Sequence, residues 1–160
     1  MLTTLGLTIL LFAASIPDGE AALVARAEGA PIRLQDGKTI SRVEKDAAGN
    51  VVRLNLHEMT LSAEEIAALG RLTALKSLVL YKTNVKDADL RQLRGLTHLE
   101  GLNLTSTGIS DAAVPDILAL KSLRSLCLGN VAITPSAVAR LKEEFRTQGR
   151  ELALGYSQRK

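Results

Sequence analysis

The chain has 160 residues, of which 46% are hydrophobic and 23% charged, and its formal net charge is +3. This length corresponds to one domain. The apolar fraction is too high for a disordered chain and the single Cys cannot form an intrachain disulfide, so both of those classes are excluded. A nucleic-acid binder is disfavoured, because the 20 basic residues are interleaved with 17 acidic ones and aromatic residues make up only 2% of the chain.

An uncharged apolar segment occupies the beginning of the chain. Residues 2–16 carry no charge and are too short to match the roughly 20 residues that span a bilayer, but they resemble the apolar part of a secretory signal peptide. Small residues favour cleavage after Ala21, or as late as Ala27. We therefore expect a signal peptide over 1–21, a linker over 22–31, and a protein that is secreted or lies in the periplasm or cell envelope. Because no Lys or Arg precedes the apolar run, an uncleaved N-terminal anchor and a cytosolic protein stay open as alternatives.

A repeat with a 24-residue period organises the chain after residue 50. Each repeat opens with aliphatic residues in the pattern L-x-x-L-x-L and continues with aliphatic residues about three positions apart. The opening triplets are Val51, Leu54 and Leu56; Leu75, Leu78 and Leu80; Leu99, Leu102 and Leu104; and Leu123, Leu126 and Leu128. The alternating part predicts a short strand with one buried face, and the wider spacing predicts a short helix.

Residues that favour helix starts lie where each predicted helix would begin. Ser62 opens a capping box, and Ser110 and Thr134 are N-cap residues followed by an acid and by a Pro. In the second repeat Lys86 takes the cap position, so we expect Asp87 to cap that helix. One repeat buries too few aliphatic side chains to offset the entropy of ordering its backbone, so the repeats must stack on one another.

The stacked unit resembles the leucine-rich repeat. Its strands V-V-R-L-N-L, L-K-S-L-V-L, L-E-G-L-N-L and L-R-S-L-C-L, with T-N-V-K-D and T-G-I-S-D after the second and third, are similar to the 24-residue bacterial type found in many secreted or envelope proteins, notably of planctomycetes. The resemblance covers about residues 32–155. It implies an α/β fold, a short leucine-rich repeat solenoid that forms a right-handed β-α superhelix with a parallel β-sheet on its concave face. It also implies that Thr83 and Thr107 bond to neighbouring backbones.

Both ends of the repeat array are expected to carry caps. Residues 32–50 are predicted to be an N-terminal cap in which a strand at 39–44 turns back to pair with the strand that begins at Val51. Residues 142–155 are predicted to be a C-terminal cap whose last leucines add a final strand, and 156–160 to be a solvated tail. The leucine-rich repeat domain therefore spans 32–155, with repeats starting near 51, 75, 99 and 123.

The side chains between the buried leucines of the strands are predicted to form the concave face, where solenoids commonly bind their partners. The candidates are Arg53, Asn55, His57, Ser77, Val79, Tyr81, Gly101, Asn103, Thr105, Ser125, Cys127 and Gly129. Arg53, Asn55, His57, Tyr81 and Asn103 are the best contact candidates, because Arg and Tyr are enriched in interface hot spots. Each of these residues, taken singly, is interpreted first as an ordinary solvated strand position, and only the group as a whole indicates a binding face.

The sequence lacks the motifs of common catalytic and metal sites. His57 and Glu58 begin H-E-x-x-H, but Leu61 stands where the second His would be, and His98 has no Cys or second His at ligand spacing. Cys127 is interpreted as a small residue tolerated on a strand, with a reactive or dimer-forming thiol as the alternative. We therefore expect a protein that is not an enzyme and uses no cofactor or metal.

The resemblance favours a non-catalytic module that binds a protein partner. We expect no nucleic-acid partner, membrane contact only if the N-terminal segment stays uncleaved, and a monomer. The alternative is a structural component of the envelope that associates with copies of itself.

Overall fold

The computed structural model describes residues 18–33 and 39–158. Strands alternate with helices from residue 51 onward. The elements in chain order are α1 (Asp18–Glu28), β1 (Ile32–Arg33), β2 (Thr39–Ile40), β3 (Val43–Lys45), β4 (Val51–Asn55), α2 (Ala63–Leu69), β5 (Ser77–Val79), a 3₁₀ helix (Asp87–Gly95), β6 (Gly101–Asn103), a 3₁₀ helix (Asp111–Ala113), α3 (Val114–Ala119), β7 (Ser125–Val131), α4 (Pro135–Thr147) and β8 (Ala153–Gln158).

One six-stranded sheet, in the order β3-β4-β5-β6-β7-β8, runs through the stack. Within this sheet the strands from β4 to β8 are parallel, and β3 pairs with β4 in the antiparallel sense; β1 and β2 form a separate antiparallel pair. Leu54, Leu78, Leu102 and Leu126 are direct partners across four adjacent strands. The strands and the register predicted from the leucine pattern are therefore confirmed, because a fixed repeat length brings each leucine beside its counterpart in the next coil.

The repeated aliphatic residues form one hydrophobic core between the sheet and the helices. Leu75, Leu78, Leu126 and Leu128 have no exposed surface, and Phe145 closes the C-terminal end at 1% exposure. Burying each such side chain stabilises the fold by about 1.5–3 kcal/mol relative to leaving it exposed. Stacking therefore buries aliphatic side chains that a single coil would leave exposed to solvent.

The helix starts agree with the sequence except in the second repeat. Ser62 and Glu65 form the predicted capping box, in which the Ser62 amide donates to Glu65 Oε2 at 2.8 Å and the Glu65 amide to Ser62 Oγ at 3.3 Å. The expectation that Asp87 caps its own helix is wrong. Its carboxylate accepts hydrogen bonds from the amide and hydroxyl of Ser110, both at 2.7 Å, and so joins two coils.

The two threonines expected to bond to neighbouring backbones are buried but bond locally. Thr83 donates to the Leu80 carbonyl at 2.8 Å and Thr107 to the Leu104 carbonyl at 2.6 Å, three residues back in the same coil. The expectation for these hydroxyls is therefore wrong, because their short side chains satisfy the turn that ends each strand. The bond between coils comes instead from Asn84, whose amide contacts both the N–H and the carbonyl of Leu61 at 2.8 and 2.9 Å.

The N-terminal end is covered by a helix where a linker was expected. Most of residues 22–31 belong to α1, which packs against α2, and Leu23 and Ala27 of this helix have no exposed surface. Residues 1–17 lie outside the described residues, and cleavage after Ala21 or Ala27 stays a prediction. Within the part of the chain that the structure describes, no helix combines the length and the apolar character needed to cross a membrane.

The strands at both ends of the sheet have boundaries that differ from those predicted. The strand expected at 39–44 is split into β2 and β3, and β3 pairs back on β4 through a turn in which Asp46 accepts from the amides of Ala48 and Asn50. At the other end β8 extends to Gln158, so residues 156–158 belong to the sheet and not to a solvated tail. The strand continues because Tyr156 pairs with Leu128 and donates its hydroxyl to the Ile133 carbonyl at 2.9 Å.

Candidate functional site

The concave face is the side of the sheet that points away from the helices, and the structure brings all of its predicted residues together there. They lie in three rows across the strands. The first row is Arg53, Ser77, Gly101 and Ser125; the second is Asn55, Val79, Asn103 and Cys127; the third is His57, Tyr81 and Thr105, just beyond the ends of β4, β5 and β6, together with Gly129 within β7. None of the twelve is buried.

The structure adds a fifth residue to each row, from β8. Ala153, Gly155 and Ser157 of β8 pair with Ser125, Cys127 and Gly129 and are exposed. These three residues were not predicted as part of the face, although the alternation around Leu152 and Leu154 was a signal that placed them between core positions. The concave face therefore extends one strand further than expected.

Backbone hydrogen bonds between coils hold the third row in place. After each third-row residue the chain turns through a residue with positive φ: Glu58, Lys82, Ser106 and Asn130, at 52–59°. Amides at this position bond to the third-row residue of the next coil, as Glu58 does to the Tyr81 carbonyl at 2.9 Å and Lys82 to the Thr105 carbonyl at 3.0 Å. Because the turn is the same in every coil, the side chains that precede it project from equivalent positions.

Side-chain size divides the concave face into two halves. The C-terminal half carries small side chains, with glycine at Gly101, Gly129 and Gly155. The half formed by β4 and β5 carries Arg53, His57, Tyr81 and the neighbouring turn residues. The face is consequently a shallow trough, and larger aromatic and charged side chains project from the sheet at its N-terminal end.

These projecting side chains form a compact group that we call the N-terminal cluster, consisting of His57, Glu58, Tyr81 and Lys82. The His57 and Tyr81 rings meet edge to face with their centroids 4.8 Å apart. Lys82 Nζ lies 2.8 Å from Glu58 Oε1 and 5.3 Å from the Tyr81 ring centroid. The contacts link two consecutive coils, so the cluster is preorganised rather than assembled from independent side chains.

The charges of the N-terminal cluster affect one another. The hydrogen bond from Lys82, followed by the contact with His57, holds the pKa of Glu58 below its ordinary value. The same bond raises the pKa of Lys82. His57 Nε2 is 3.3 Å from Glu58 Oε1, but it is buried and makes no hydrogen bond of good geometry within the described residues. The cluster thus presents an ionised pair beside two aromatic rings.

The remaining contact candidates have partners of their own. Asn55 and Asn103 accept hydrogen bonds through Oδ1 from the amides of His57 and Thr105, at 3.0 and 2.9 Å, and so stabilise the ends of β4 and β6. Arg53 makes a looser ion pair with Glu44 of β3 at 3.5 Å. The guanidinium is exposed and the pair is loose, so Arg53 keeps donors that a partner can reach.

Cys127 occupies the middle of the trough as a free, half-buried thiol. Its Sγ lies 3.7 Å from the position that a Cβ would take on Gly155. Nothing in its surroundings assigns it a chemical role.

The two histidines and the carboxylates of the described residues do not gather into a metal site. Within 18–33 and 39–158 no group of three or more His, Cys, Asp or Glu side chains is close enough to hold a metal ion. His98 lies before the amino end of β6, whereas His57 follows the carboxyl end of β4, and His98 Nδ1 is 3.1 Å from the Thr73 carbonyl oxygen. Two open depressions, of about 310 and 490 Å³, lie away from the concave face, one beside α3 and α4 and the other at the amino ends of the strands.

Comparison with known proteins identifies the fold and not the family. No protein-family model and no curated protein matches this sequence. Among solved structures, "Leiomodin-1 Actin-Binding Site 2" is 17% identical, with a TM-score of 0.52 over 65% of this chain and 69% of that one. The PEPR1–AtPEP1 structure is 15% identical, with a TM-score of 0.47 over 88% of this chain but 25% of that one. The leucine-rich repeat ectodomain of SOBIR1 from Arabidopsis thaliana is 14% identical, with a TM-score of 0.43 over 89% and 93%.

The stacked coils, the parallel sheet and the continuous leucine rows define the class of the fold. It is α/β, a short leucine-rich repeat solenoid.

Proposed function

We propose that this chain is a non-catalytic protein-binding module, exported from the cytoplasm, that docks its partner on the concave face. The observation that carries the proposal is the N-terminal cluster, which holds two aromatic rings and an ion pair in fixed positions at the end of a polar trough. A rigid sheet loses little conformational entropy on binding, which is an advantage for a recognition surface.

The shape of the trough suits a partner that approaches closely at the C-terminal half. Small side chains at Gly101, Gly129 and Gly155 leave room for the partner there, while Arg53 and Tyr81 supply the residue types that most often dominate binding energy. The six strands offer a limited area, so the complex is expected to fall at the smaller end of the range for specific interfaces.

The partner is first identified by crosslinking to the concave face in the native host. It is then purified, and its binding to this chain is measured. Replacing Arg53 and Tyr81 together with Ala should weaken binding at least about tenfold, the effect of losing about 1.4 kcal/mol. The matched control is Arg140→Ala with Lys142→Ala on α4, two exposed residues on the opposite side of the molecule. Binding that survives the first double change, or falls equally with the second, rejects the concave face as the docking surface.

Export rests on the uncharged apolar segment 2–16. Fractionation of the native host with mass spectrometry of the N-terminus tests this part separately. A shortened chain outside the cytoplasm supports a cleaved signal, an intact chain in the membrane fraction supports an anchor, and an intact cytosolic chain rejects export.

A further inference from the structure

β8 is the last strand of the sheet, and no strand described in the structure covers its outer edge. The amide of Ala153 donates to the Arg124 carbonyl of the preceding coil at 2.8 Å. Because backbone N–H and C=O groups alternate between the two sides of a strand, Ala153, Gly155 and Ser157 bond toward β7. Leu154, Tyr156 and Gln158 therefore direct their N–H and C=O groups outward, where no other described strand pairs with them.

The two edges of the sheet are protected to very different degrees. β3, at the other edge, is three residues long, carries Glu44 and Lys45, and has a register irregularity between them. Short length, charge and irregular pairing are the devices that prevent strands from adding to an edge. β8 is six residues long and reads A-L-G-Y-S-Q, with no charge and no Pro. The irregularity in its ladder lies on β7, between Gly129 and Val131, and leaves β8 itself continuous.

We propose that β8 pairs in the antiparallel sense with β8 of a second copy of this chain, across a two-fold axis at Tyr156. This arrangement sets Tyr156 opposite its own counterpart, and Leu154 opposite Gln158 of the second copy. The two-fold axis repeats the second pairing, with Gln158 opposite Leu154 of the second copy, which makes three pairs. All of them join outward-facing residues, so each pair exchanges two N–H···O=C bonds. The two sheets become one continuous sheet through a self-complementary contact.

The side chains of β8 favour an identical strand as the occupant. An uncharged strand meets its own copy without the repulsion that like charges impose across a sheet. On the concave side the strand presents only Ala153, Gly155 and Ser157, which are too small to obstruct a neighbour. On the core side Tyr156 is already held by its bond to Ile133 within its own chain. The proposed pairing is therefore compatible with the bond that Tyr156 makes within its own chain.

The contact involves one strand from each copy, so it is small and the association is expected to be weak and concentration-dependent. It departs from the monomer expected from the sequence, in which residues 156–158 were assigned to a tail. It also places the two concave faces side by side in one sheet. The inference is independent of the proposed partner, since β8 lies at the opposite end of the sheet from the N-terminal cluster.

The experiment measures self-association of the purified protein by sedimentation equilibrium, together with amide exchange by NMR across a range of protein concentrations. The amides of Leu154 and Tyr156 should become protected as the dimer forms, while those of Gly155 and Ser157 should be protected at every concentration. Ser157→Lys sets two like charges near the axis and should weaken dimerisation at least about tenfold. Ser125→Lys is the matched control, because it adds the same charge to an exposed Ser on the same face, one strand further in.

A monomer at all concentrations overturns the proposal. So does a dimer that Ser157→Lys leaves intact or that both lysine variants weaken equally, because the contact would then lie elsewhere. Protection of Leu154 and Tyr156 that appears only when another protein is added also overturns it, by identifying the occupant as a foreign strand. Thermal unfolding of both variants checks that neither substitution has disturbed the fold.

Discussion

Lys82 Nζ lies 2.8 Å from Glu58 Oε1, and the two residues occupy equivalent positions, with positive φ, in consecutive coils. In sequence Glu58 comes directly after His57 and Lys82 directly after Tyr81, the two residues whose rings meet in the N-terminal cluster. The regular repeat of the backbone thus turns two positions 24 residues apart in sequence into neighbours on the surface. The N-terminal cluster therefore exists because the sequence period places its four residues in contact.

The first prediction concerns this ion pair. The folded pKa of Glu58 lies below its ordinary value of 4.5. The ion pair's contribution to stability is therefore complete above pH 4.5 and is lost as pH falls through the folded pKa. The pKa of Lys82 is raised above its ordinary value of 10.5. The ion pair's contribution to stability is therefore complete below pH 10.5 and is lost as pH rises through the folded pKa of Lys82. NMR titration of the Glu58 carboxyl should therefore give a midpoint below 4.5 that returns toward it in Lys82→Met. Lys142→Met, on exposed α4, should leave the midpoint unchanged; an equal effect of both variants would contradict the pairing.

The second prediction concerns the carboxylates that join coils. Asp87 accepts two hydrogen bonds from Ser110 at 2.7 Å, and Asp111 accepts two from Thr134 at 2.7 and 2.8 Å. Charge-assisted bonds of this kind contribute roughly 1.5–3 kcal/mol each, and less where water reaches them. Asp87→Ala should lower the free energy of unfolding in urea by about 1–3 kcal/mol. Glu100→Ala, which removes an exposed carboxylate that makes no hydrogen bond in the described residues, should change it by less than about 0.5 kcal/mol.

The third prediction concerns α1. Leu23 is fully buried against the rest of the core, so Leu23→Ala should cost about 2–5 kcal/mol in urea denaturation. The exposed neighbour Ala22, replaced by Ser, should be nearly neutral. Removing residues 1–27 should destabilise the protein more than Leu23→Ala, and removing 1–17 should not. Equal stability of the two shortened chains would show that α1 is not part of the folded unit.

The fourth prediction concerns the close approach of two coils at Gly70. A Cβ at this position would lie 2.0 Å from the Gln92 carbonyl oxygen, which is backbone and cannot swing aside. Gly70→Ala should therefore force the first two coils apart and cost roughly 1–3 kcal/mol or more. Gly101→Ala is the matched control, because its Cβ would meet nothing closer than Ser77 Oγ at 3.8 Å. Thermal denaturation should separate the two variants; similar midpoints would contradict the close packing.

The sequence predicted the middle of this molecule better than its ends. β4 to β7 followed from the alternation in each L-x-x-L-x-L triplet, because a strand with one buried face repeats every two residues. α1 was missed because its residues follow directly on the apolar segment and read as a cleavage region. β8 was placed only in part, since Gly155 and Ser157 carry no hydrophobic signal and the strand is held by pairing with β7.

The candidate site shows the same division. The positions of the concave face could be counted from the leucines, so Arg53, His57 and Tyr81 were identified correctly as neighbours on one surface. The contacts with Glu58 and Lys82 could not be predicted, because they depend on a positive φ at the turn. Glycine is the usual sequence signal for positive φ, and neither position carries it. The partner of Asp87 was also missed, because a carboxylate at a helix start is most often a cap of its own helix.

Docking on the concave face is tested by hydroxyl-radical footprinting of the protein with and without its purified partner. The two histidines of the chain provide an internal control, since His57 lies in the N-terminal cluster and His98 at the amino ends of the strands. We expect the partner to protect Tyr81 and His57 from oxidation and to leave His98 unchanged. Protection of His98 with Tyr81 and His57 still reactive would contradict this expectation.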